Sequence, residues 1–365
     1  MLEQLKKYRT DLHQIPELGF EEYKTKAYIM EVIKGLNCQV HKVGETGLVL
    51  YFNCEQDKTI AFRADMDALP IQEATGLACS SIHPGVMHAC GHDGHMAILL
   101  GLAHYIHESR KTLDKNVVLV FQPSEERDAG AQKIVDSGLL ESYQVEAIFG
   151  LHLWPGFEKG QLYSKANAFM AMGSEITITI KGKAVHVADS KKGIDALHIA
   201  CCYLNDLYEM EAALPEDVDR LLKFGACHSG SVRNVISDQT TLYGTLRSFT
   251  AQTHEGLKAQ IQEIATKYEA SYGCQIQIEY NDGYDAVIND PKLLEEICAT
   301  VPDITLLENP VMQAEDFGLY RQCCPSLFFF LGVGDTAPLH NECFDFDMDI
   351  LQSGLDLFIN ILKFY

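Results

Sequence analysis

Two kinds of apolar segment divide this chain, and they require different sheets. Gly47–Phe52, Thr59–Arg63, Val117–Phe121, Ala147–Leu151 and Leu327–Val333 are near-continuous apolar runs. Such runs fit strands buried on both faces, as in a parallel sheet covered by helices. Helical patterns at 3–14, 21–35, about 94–108 and 129–138 alternate with these runs, which implies an α/β unit with a largely parallel sheet. Ser174–Gly182 differs: Ile176, Ile178 and Ile180 alternate with Glu175, Thr177 and Thr179. That is a strand with one buried face. A helical stretch at about 193–213 follows it. Next come strand patterns near 222–229 and 238–248, a helix at 253–272 and a strand at Gln275–Tyr280. The order is β-α-β-β-α-β, the split βαβ or ferredoxin-like pattern. Leu293–Cys298 and Met348–Leu362 then resume helices. The expected architecture is a larger α/β domain, 1–169 and 285–365, with a smaller ferredoxin-like domain, 170–284, inserted into it.

At 365 residues the chain has room for both domains, and its 47% hydrophobic and 22% charged content is that of a globular protein. No apolar run approaches the roughly 20 residues that a membrane helix needs. The first residues lack the apolar stretch of a signal peptide, so a cytoplasmic location is expected. Twelve scattered cysteines fit reduced thiols better than a disulfide framework. A formal net charge of −22 argues against nucleic acid as a partner. It leaves room for a small anionic substrate held by a local cation.

The densest chemistry is His88-Ala-Cys90-Gly-His92-Asp-Gly-His95, which offers one thiol and three imidazoles within eight residues. Both groups bind transition metals. Gly91 and Gly94 give the backbone freedom for Cys90 and His92 to close on one ion. From Met96 onward the apolar spacing turns helical, with Asp93 as the expected N-cap. In open α/β sheets, ligands bind beyond the C-terminal ends of the strands. Here Thr59–Arg63 runs into Asp65 and Asp67, and Val117–Phe121 into Glu125-Glu126. Ala147–Leu151 runs into His152, and Leu327–Val333 leads on to His340. The adjacent acids Glu125 and Glu126 point to opposite faces if extended, so one can bind a metal while the other acts as a general base. Asp65 and Asp67 could both be ligands, or one could orient a histidine ligand. Arg63 could instead neutralise one of them. His13, His83, His88 and His95 read as structural or surface residues. In the smaller domain, composition alone gives His186, Asn234 and Arg247 no special status.

At this point the chain resembles the M20 metallopeptidase superfamily, specifically its amidohydrolase branch. That branch includes aminoacylases, hippurate hydrolases and N-acetyldiaminopimelate deacetylases. The resemblance rests on ordered motifs: Asp11-Leu-His-Gln-Ile-Pro-Glu17-Leu-Gly, Arg63-Ala-Asp-Met-Asp67-Ala-Leu-Pro, the Cys90–His92 motif, and Phe121-Gln-Pro-Ser-Glu125-Glu126. It continues in Gly150-Leu-His152-Leu-Trp-Pro, Asn234-Val-Ile, Gly244-Thr-Leu-Arg247, Glu315-Asp-Phe and Leu339-His340. The resemblance implies two divalent metal ions per subunit, held by Cys90, His92, Glu126, His152 and His340, with one ligand shared. It implies Glu125 as general acid/base, Asp67 as the residue orienting a ligand, and His186 as an oxyanion donor that reaches a neighbouring subunit in dimeric members. Asn234 and Arg247 match positions that hold the substrate's carboxylate or backbone. The chain departs from the family at Arg127-Asp128-Ala129-Gly130, where relatives usually carry glycines, and after His186, where many carry Pro-His.

The activity implied is hydrolysis of an N-acyl amino acid, N-acetyl above all, to a carboxylate and a free amino acid. The alternatives are a dinuclear-metal dipeptidase or carboxypeptidase with another acyl pocket, and a catalytically silent metal or amino-acid-conjugate binder. Zinc, manganese, cobalt and nickel all suit a mixed sulfur, nitrogen and oxygen ligand set. The expected partners are a small-molecule N-acyl amino acid and further copies of the chain, in a homodimer or higher homo-oligomer built through the smaller domain.

Overall fold

The computed structural model describes every residue of the chain except 128, 216 and 217. Its contacts separate two units. The larger comprises Met1–Phe169, Val287–Pro310 and Asp316–Tyr365, and the smaller Met170–Ala286 and Val311–Glu315. The smaller unit thus takes in Val311–Glu315, which sequence pattern assigned to the larger domain. Backbone pairing explains it: the Ala171 N–H donates to the Gln313 carbonyl at 2.9 Å, and Met170 bridges to Val311.

The larger unit opens with α1 (Leu2–His13), α2 (Tyr23–Val32), β1 (Gln39–Val43), β2 (Gly47–Phe52) and β3 (Thr59–Asp65). It continues through α3 (His92–Ser109), β4 (Asn116–Gln122), α4 (Gly130–Asp136), α5 (Leu139–Ser142), β5 (Val145–Pro155), β6 (Leu162–Ser164) and β7 (Asn167–Met170). The smaller unit contains β8 (Met172–Lys181), α6 (Ala196–Ala212), β9 (Arg220–Ser229), β10 (Gln239–Ser248), α7 (Ala251–Tyr272) and β11 (Gln275–Asp282). The chain then returns as β12 (Val287–Asn289), α8 (Pro291–Thr300), β13 (Ile304–Leu306), β14 (Ser326–Gly334) and α9 (Leu351–Phe364).

The continuous apolar runs form the centre of an eight-stranded sheet, ordered β1-β2-β4-β3-β5-β14-β6-β13. Its core strands β4, β3, β5 and β14 are mutually parallel, while β2 pairs antiparallel with β4. Every residue of β3 and β4 is buried, as strands covered on both faces must be. The α3 helix is buried from His92 through Ala103, all around its circumference. A helix that is apolar on every side belongs inside a core. Its start differs from the expected Asp93 cap. His92 is the first helical residue, and Gly91 is the N-cap, at φ 82°. Asp93 therefore lies inside the first turn, where its Oδ2 binds the Arg9 Nε–H at 2.9 Å and His13 Nδ1 at 2.7 Å.

The smaller unit has an antiparallel sheet ordered β11-β8-β10-β9, built in the chain order β-α-β-β-α-β. Along β8 the residues Ser174, Ile176, Ile178 and Ile180 are buried, and Glu175 and Lys181 are exposed. The buried isoleucines pack with Tyr203 and Leu207 of α6 and with Leu257 and Ile261 of α7 in a core of their own. Ile178 is fully buried there. Ile178→Ala should therefore destabilise the chain by about 2–5 kcal/mol, by lost transfer energy plus a residual cavity, and shift the urea midpoint accordingly.

Candidate metal centre

Donor atoms gather where the parallel strands of the larger unit end. Asp65 is the last residue of β3, and Asp67 lies two beyond it. Glu125 and Glu126 follow β4 after Pro123-Ser124. His152 sits within the last residues of β5, and His340 lies past β14. The start of α3 adds His92, with Cys90 just before it. Two groups of potential ligands result, each with its donor atoms within 4.8 Å of one another: Cys90 with His92 and His152, and Cys90 with Glu126 and His340. Cys90 belongs to both. A third group, His92 with Glu125 and Glu126, ties the acidic pair to the same centre.

Two of the imidazoles are oriented by their second nitrogen. His92 Nδ1–H donates to the Asp67 carbonyl at 2.9 Å, which leaves its buried Nε2 with no hydrogen-bond partner. His152 Nδ1–H donates to the Leu153 carbonyl at 2.7 Å, and its Nε2 faces Cys90 Sγ at 3.4 Å. This is the usual arrangement of metal-binding histidines, with the non-ligating nitrogen held by a backbone carbonyl. His340 has a left-handed backbone, φ 63°, and its N–H donates to the Ala89 carbonyl at 2.9 Å, beside Cys90. Its Nε2 lies 3.1 Å from Glu126 Oε1, yet that oxygen is buried and receives no hydrogen bond.

The electrostatics suit a cation. Burial, then the neighbouring carboxylates of Glu126 and Glu125, pushes the Cys90 thiol well above its ordinary range. Such a thiol ionises only against a positive partner. Burial, then His95, keeps His152 neutral by lowering it well below the ordinary histidine value. Burial also opposes charge on His92, but Asp65 and Asp67 outweigh it and raise the group to about 10. Positive charge at this ring is therefore favoured. The orphaned Nε2 of His92, the orphaned Oε1 of Glu126 and the thiol between two groups of donors make a set that fits divalent ions.

Asp67 and Asp65 have different tasks. The two Asp67 carboxylate oxygens accept the backbone N–H groups of Glu125 and Glu126, both at 3.0 Å. Asp65 is spent elsewhere. Its Oδ2 accepts from Arg63 Nη1 at 2.6 Å, and its Oδ1 from His95 Nδ1–H at 2.6 Å. The other His95 nitrogen accepts the Leu153 N–H at 3.0 Å. His95 thus has both nitrogens occupied and braces the strand next to His152. Burial alone would raise Asp65, but His92, His95 and Arg63 hold it well below the usual carboxylate range. Asp65, His92 and His95 also cluster closely enough for an ion, but these hydrogen bonds already use the Asp65 and His95 donor atoms. Arg63 further donates to Gln122 at 2.8 Å and Asp316 at 2.8 Å. Sequence pattern raised the Arg63–Asp65 pair as one option. Gln122 and Asp316 lie in motifs the sequence offered, but nothing in the pattern gave either one this contact.

The remaining histidines fall outside the donor groups. His13 binds Asp93 and Glu73, and His83 binds Lys24 and the Pro16 carbonyl. His88 is fully buried with neither ring nitrogen hydrogen-bonded, and burial lowers it to about 4. Nothing in the structure explains why a histidine stands there. In the smaller unit, His186 and Val235 form an antiparallel bridge, and the Val187 N–H donates to the Asn234 carbonyl, so His186 and Asn234 lie side by side. His186 is exposed, and its Nδ1 accepts the Ala188 N–H at 3.2 Å, which puts its proton on Nε2. Arg247 is half-buried on β10, where Nη1 donates to the Met312 carbonyl at 2.6 Å. Of the residues at which the chain departs from its expected family, Asp128 lies outside the described residues.

Residues 61–363 match the model of peptidase family M20/M25/M40. The chain belongs to this family. It is 35% identical to N-acetyldiaminopimelate deacetylase of Streptococcus suis over 97% of each chain, and 33% identical to that of Listeria innocua over the full length of both. Its fold is similar to that of the Bacillus subtilis YXEP protein, a dinuclear metal-binding peptidase of the M20 family. The TM-score is 0.86 and the identity 30%, over 99% of this chain and 97% of that one.

The side chains of Arg63, Asp65 and Asp316 are fully inaccessible to solvent. Arg63→Leu would leave two buried carboxylates without their cation. It should cost about 3–5 kcal/mol in guanidinium unfolding.

Proposed function

We propose that this chain is a metal-dependent amidohydrolase that cleaves the amide bond of N-acyl amino acids, N-acetyl substrates first. As a member of the M20/M25/M40 family it is a hydrolase. The observation that carries the reading is the pair of donor groups sharing Cys90, with the second acid, Glu125, beside them. We assign Cys90, His92, Glu126, His152 and His340 as the residues that would hold two divalent ions, Cys90 being common to two of the donor groups. Bound there, such ions would polarise the acyl carbonyl and lower the pKa of a water.

Glu125 has the work of moving protons. Its side chain is 8% exposed, and its Oε2 lies 4.0 Å from His92 Nε2. In the proposed reaction it takes a proton from the attacking water. The hydroxide so formed bonds to the acyl carbon, and Glu125 returns the proton to the amide nitrogen as the C–N bond breaks, leaving a carboxylic acid, which ionises, and a free amine. Asp67 keeps this carboxylate and that of Glu126 in register by holding both backbone amides. His186, protonated on Nε2, is assigned as donor to the oxyanion, and Asn234 and Arg247 as holders of the substrate's carboxylate. The deacetylase relatives make N-acetyldiaminopimelate the first substrate to try. A homodimer and a cytoplasmic location complete the reading. Among the described residues no helix is long and apolar enough to cross a membrane.

Three measurements test it. Metal-loaded protein should release acetate from N-acetyldiaminopimelate or another N-acetyl amino acid faster than it cleaves dipeptides, and a chelator should abolish this reversibly. Turnover of dipeptides alone would select the peptidase alternative. Glu125→Gln should lower kcat by roughly 10²–10⁴-fold with metal content unchanged by elemental analysis. Substantial residual turnover would remove Glu125 from its role. Cys90→Ala should instead lose bound metal.

A further inference from the structure

We infer that Glu22 is a positioning residue for the acidic pair: it fixes the left-handed turn at Ser124 that aims Glu125 and Glu126. The inference rests on the hydrolytic reading above only for what the pair does, not for how it is held.

Glu22 immediately precedes α2 and is completely buried. Its Oε1 accepts the Ser124 N–H at 2.8 Å, across 102 residues of sequence, and its Oε2 accepts the Thr46 hydroxyl at 2.6 Å. Ser124 is not glycine, yet it sits at φ 52°. That region is unfavourable for a side-chain-bearing residue by roughly 1–3 kcal/mol, and it persists only where the surroundings over-determine it. They do so here. The Ser124 carbonyl accepts the Gly130 N–H at 2.9 Å, and its hydroxyl donates to the Arg127 carbonyl. Glycine is required behind the turn as well: a Cβ on Gly19 would strike the Ser124 side chain, and one on Gly130 would strike the Pro123 carbonyl.

The result is a run of three consecutive amides, each received by a buried carboxylate oxygen. Ser124 N–H goes to Glu22, Glu125 N–H to Asp67 Oδ1, and Glu126 N–H to Asp67 Oδ2. Asp67 alone could hold the last two and still let the segment pivot at Ser124. Glu22 stops that pivot. Burying a second carboxylate so near Asp67 is unfavourable, and burial, with Asp67 adding to it, raises Glu22 to about 7. A neutral apolar residue would serve packing better. The carboxyl group is needed for its two acceptor oxygens. Displacement of catalytic groups by about 1 Å commonly costs on the order of 10²-fold in rate, so a loosened turn should register in chemistry before it registers in folding.

The test compares Glu22→Gln, Glu22→Asp and Glu22→Ala in the full chain. Gln keeps an oxygen for the Ser124 N–H and can donate its NH₂ to Thr46. Asp withdraws the carboxylate by one methylene, and Ala removes it. The first readout is Co²⁺ titration followed by its visible absorption, which needs no turnover. Glu22→Gln should bind cobalt like the wild type, while Glu22→Asp and Glu22→Ala should bind about 10–100-fold more weakly, as loss of an outer partner of a ligand does. The second readout is kcat on N-acetyldiaminopimelate and N-acetylmethionine with saturating metal. It should fall in Asp and Ala but not in Gln, with KM little changed. A merely structural role would lower the melting temperature of Asp and Ala and leave cobalt affinity and kcat intact, which overturns the inference. Equal losses in Gln and Ala overturn it too, since charge rather than acceptor geometry would then matter. If Glu22→Ala does not fold, the Asp–Gln comparison decides. If the wild type hydrolyses neither substrate, the hydrolytic reading fails while the cobalt titration still decides the role of Glu22.

Discussion

Asp67 connects the start of α3 to the acidic pair beyond β4. Its carboxylate receives the amides of Glu125 and Glu126, and its carbonyl receives His92 Nδ1–H. One residue thereby sets the tautomer of a histidine on α3 and the register of two acids beyond β4. It can do so because it follows β3, an interior strand of the parallel sheet whose residues are all buried. A group at such a strand end has little freedom to move. Its carboxylate bonds are to backbone amides, so they constrain main chain rather than merely pairing side chains.

Around this clamp the larger unit buries an unusual amount of charge. Arg63 is enclosed by Asp65, Gln122 and Asp316, and Asp65 in turn holds His95, which braces Leu153. Buried ion pairs of this kind add little to stability against an apolar replacement, because desolvation offsets attraction. Their effect is on geometry: each member has its partners satisfied, so the network has one low-energy arrangement. His92 is held by the Asp67 carbonyl, and His152 by the Leu153 carbonyl with its Nε2 toward Cys90. Arg9 plays a similar part farther out, where with His13 it overcomes the burial of Asp93 at the start of α3.

Much of the fold is legible in the linear pattern. Val117–Phe121 and Leu327–Val333 are too apolar for a half-exposed strand, and Ser174–Gly182 alternates too strictly for a fully buried one. The structure places the first two in the parallel centre of the large sheet and the third over a core of its own. What escaped were short or polar elements. The edge strand β1 has four of its five residues exposed or half-exposed, so no apolar period marks it. The Asp93 cap was misplaced because the helix starts one residue earlier, and Asp93 is engaged by Arg9 and His13, 84 and 80 positions away. In the centre itself, Cys90, His92, Glu126, His152 and His340 could be singled out, since each lies in a motif or past an apolar strand. Glu22 was not singled out, and the roles of Gln122 and Asp316 could not be read from their motifs, because each acts through a contact that no local spacing encodes.

The sequence by itself determined the candidate side chains for the chemistry and roughly where the strands would deliver them. Residue type sets ligand chemistry, and apolar periodicity sets which ends of which strands converge. Only the tertiary structure decided how the neighbouring acids divide their work. Asp65 and Asp67 are two residues apart and alike in type, yet one neutralises Arg63 and holds His95 while the other clamps two backbone amides. Their roles follow from which donors surround each buried carboxylate, and those donors come from β4, α3 and the loop beyond β4. Burial makes an unmet carboxylate costly, so each oxygen takes the donor that folding brings within reach.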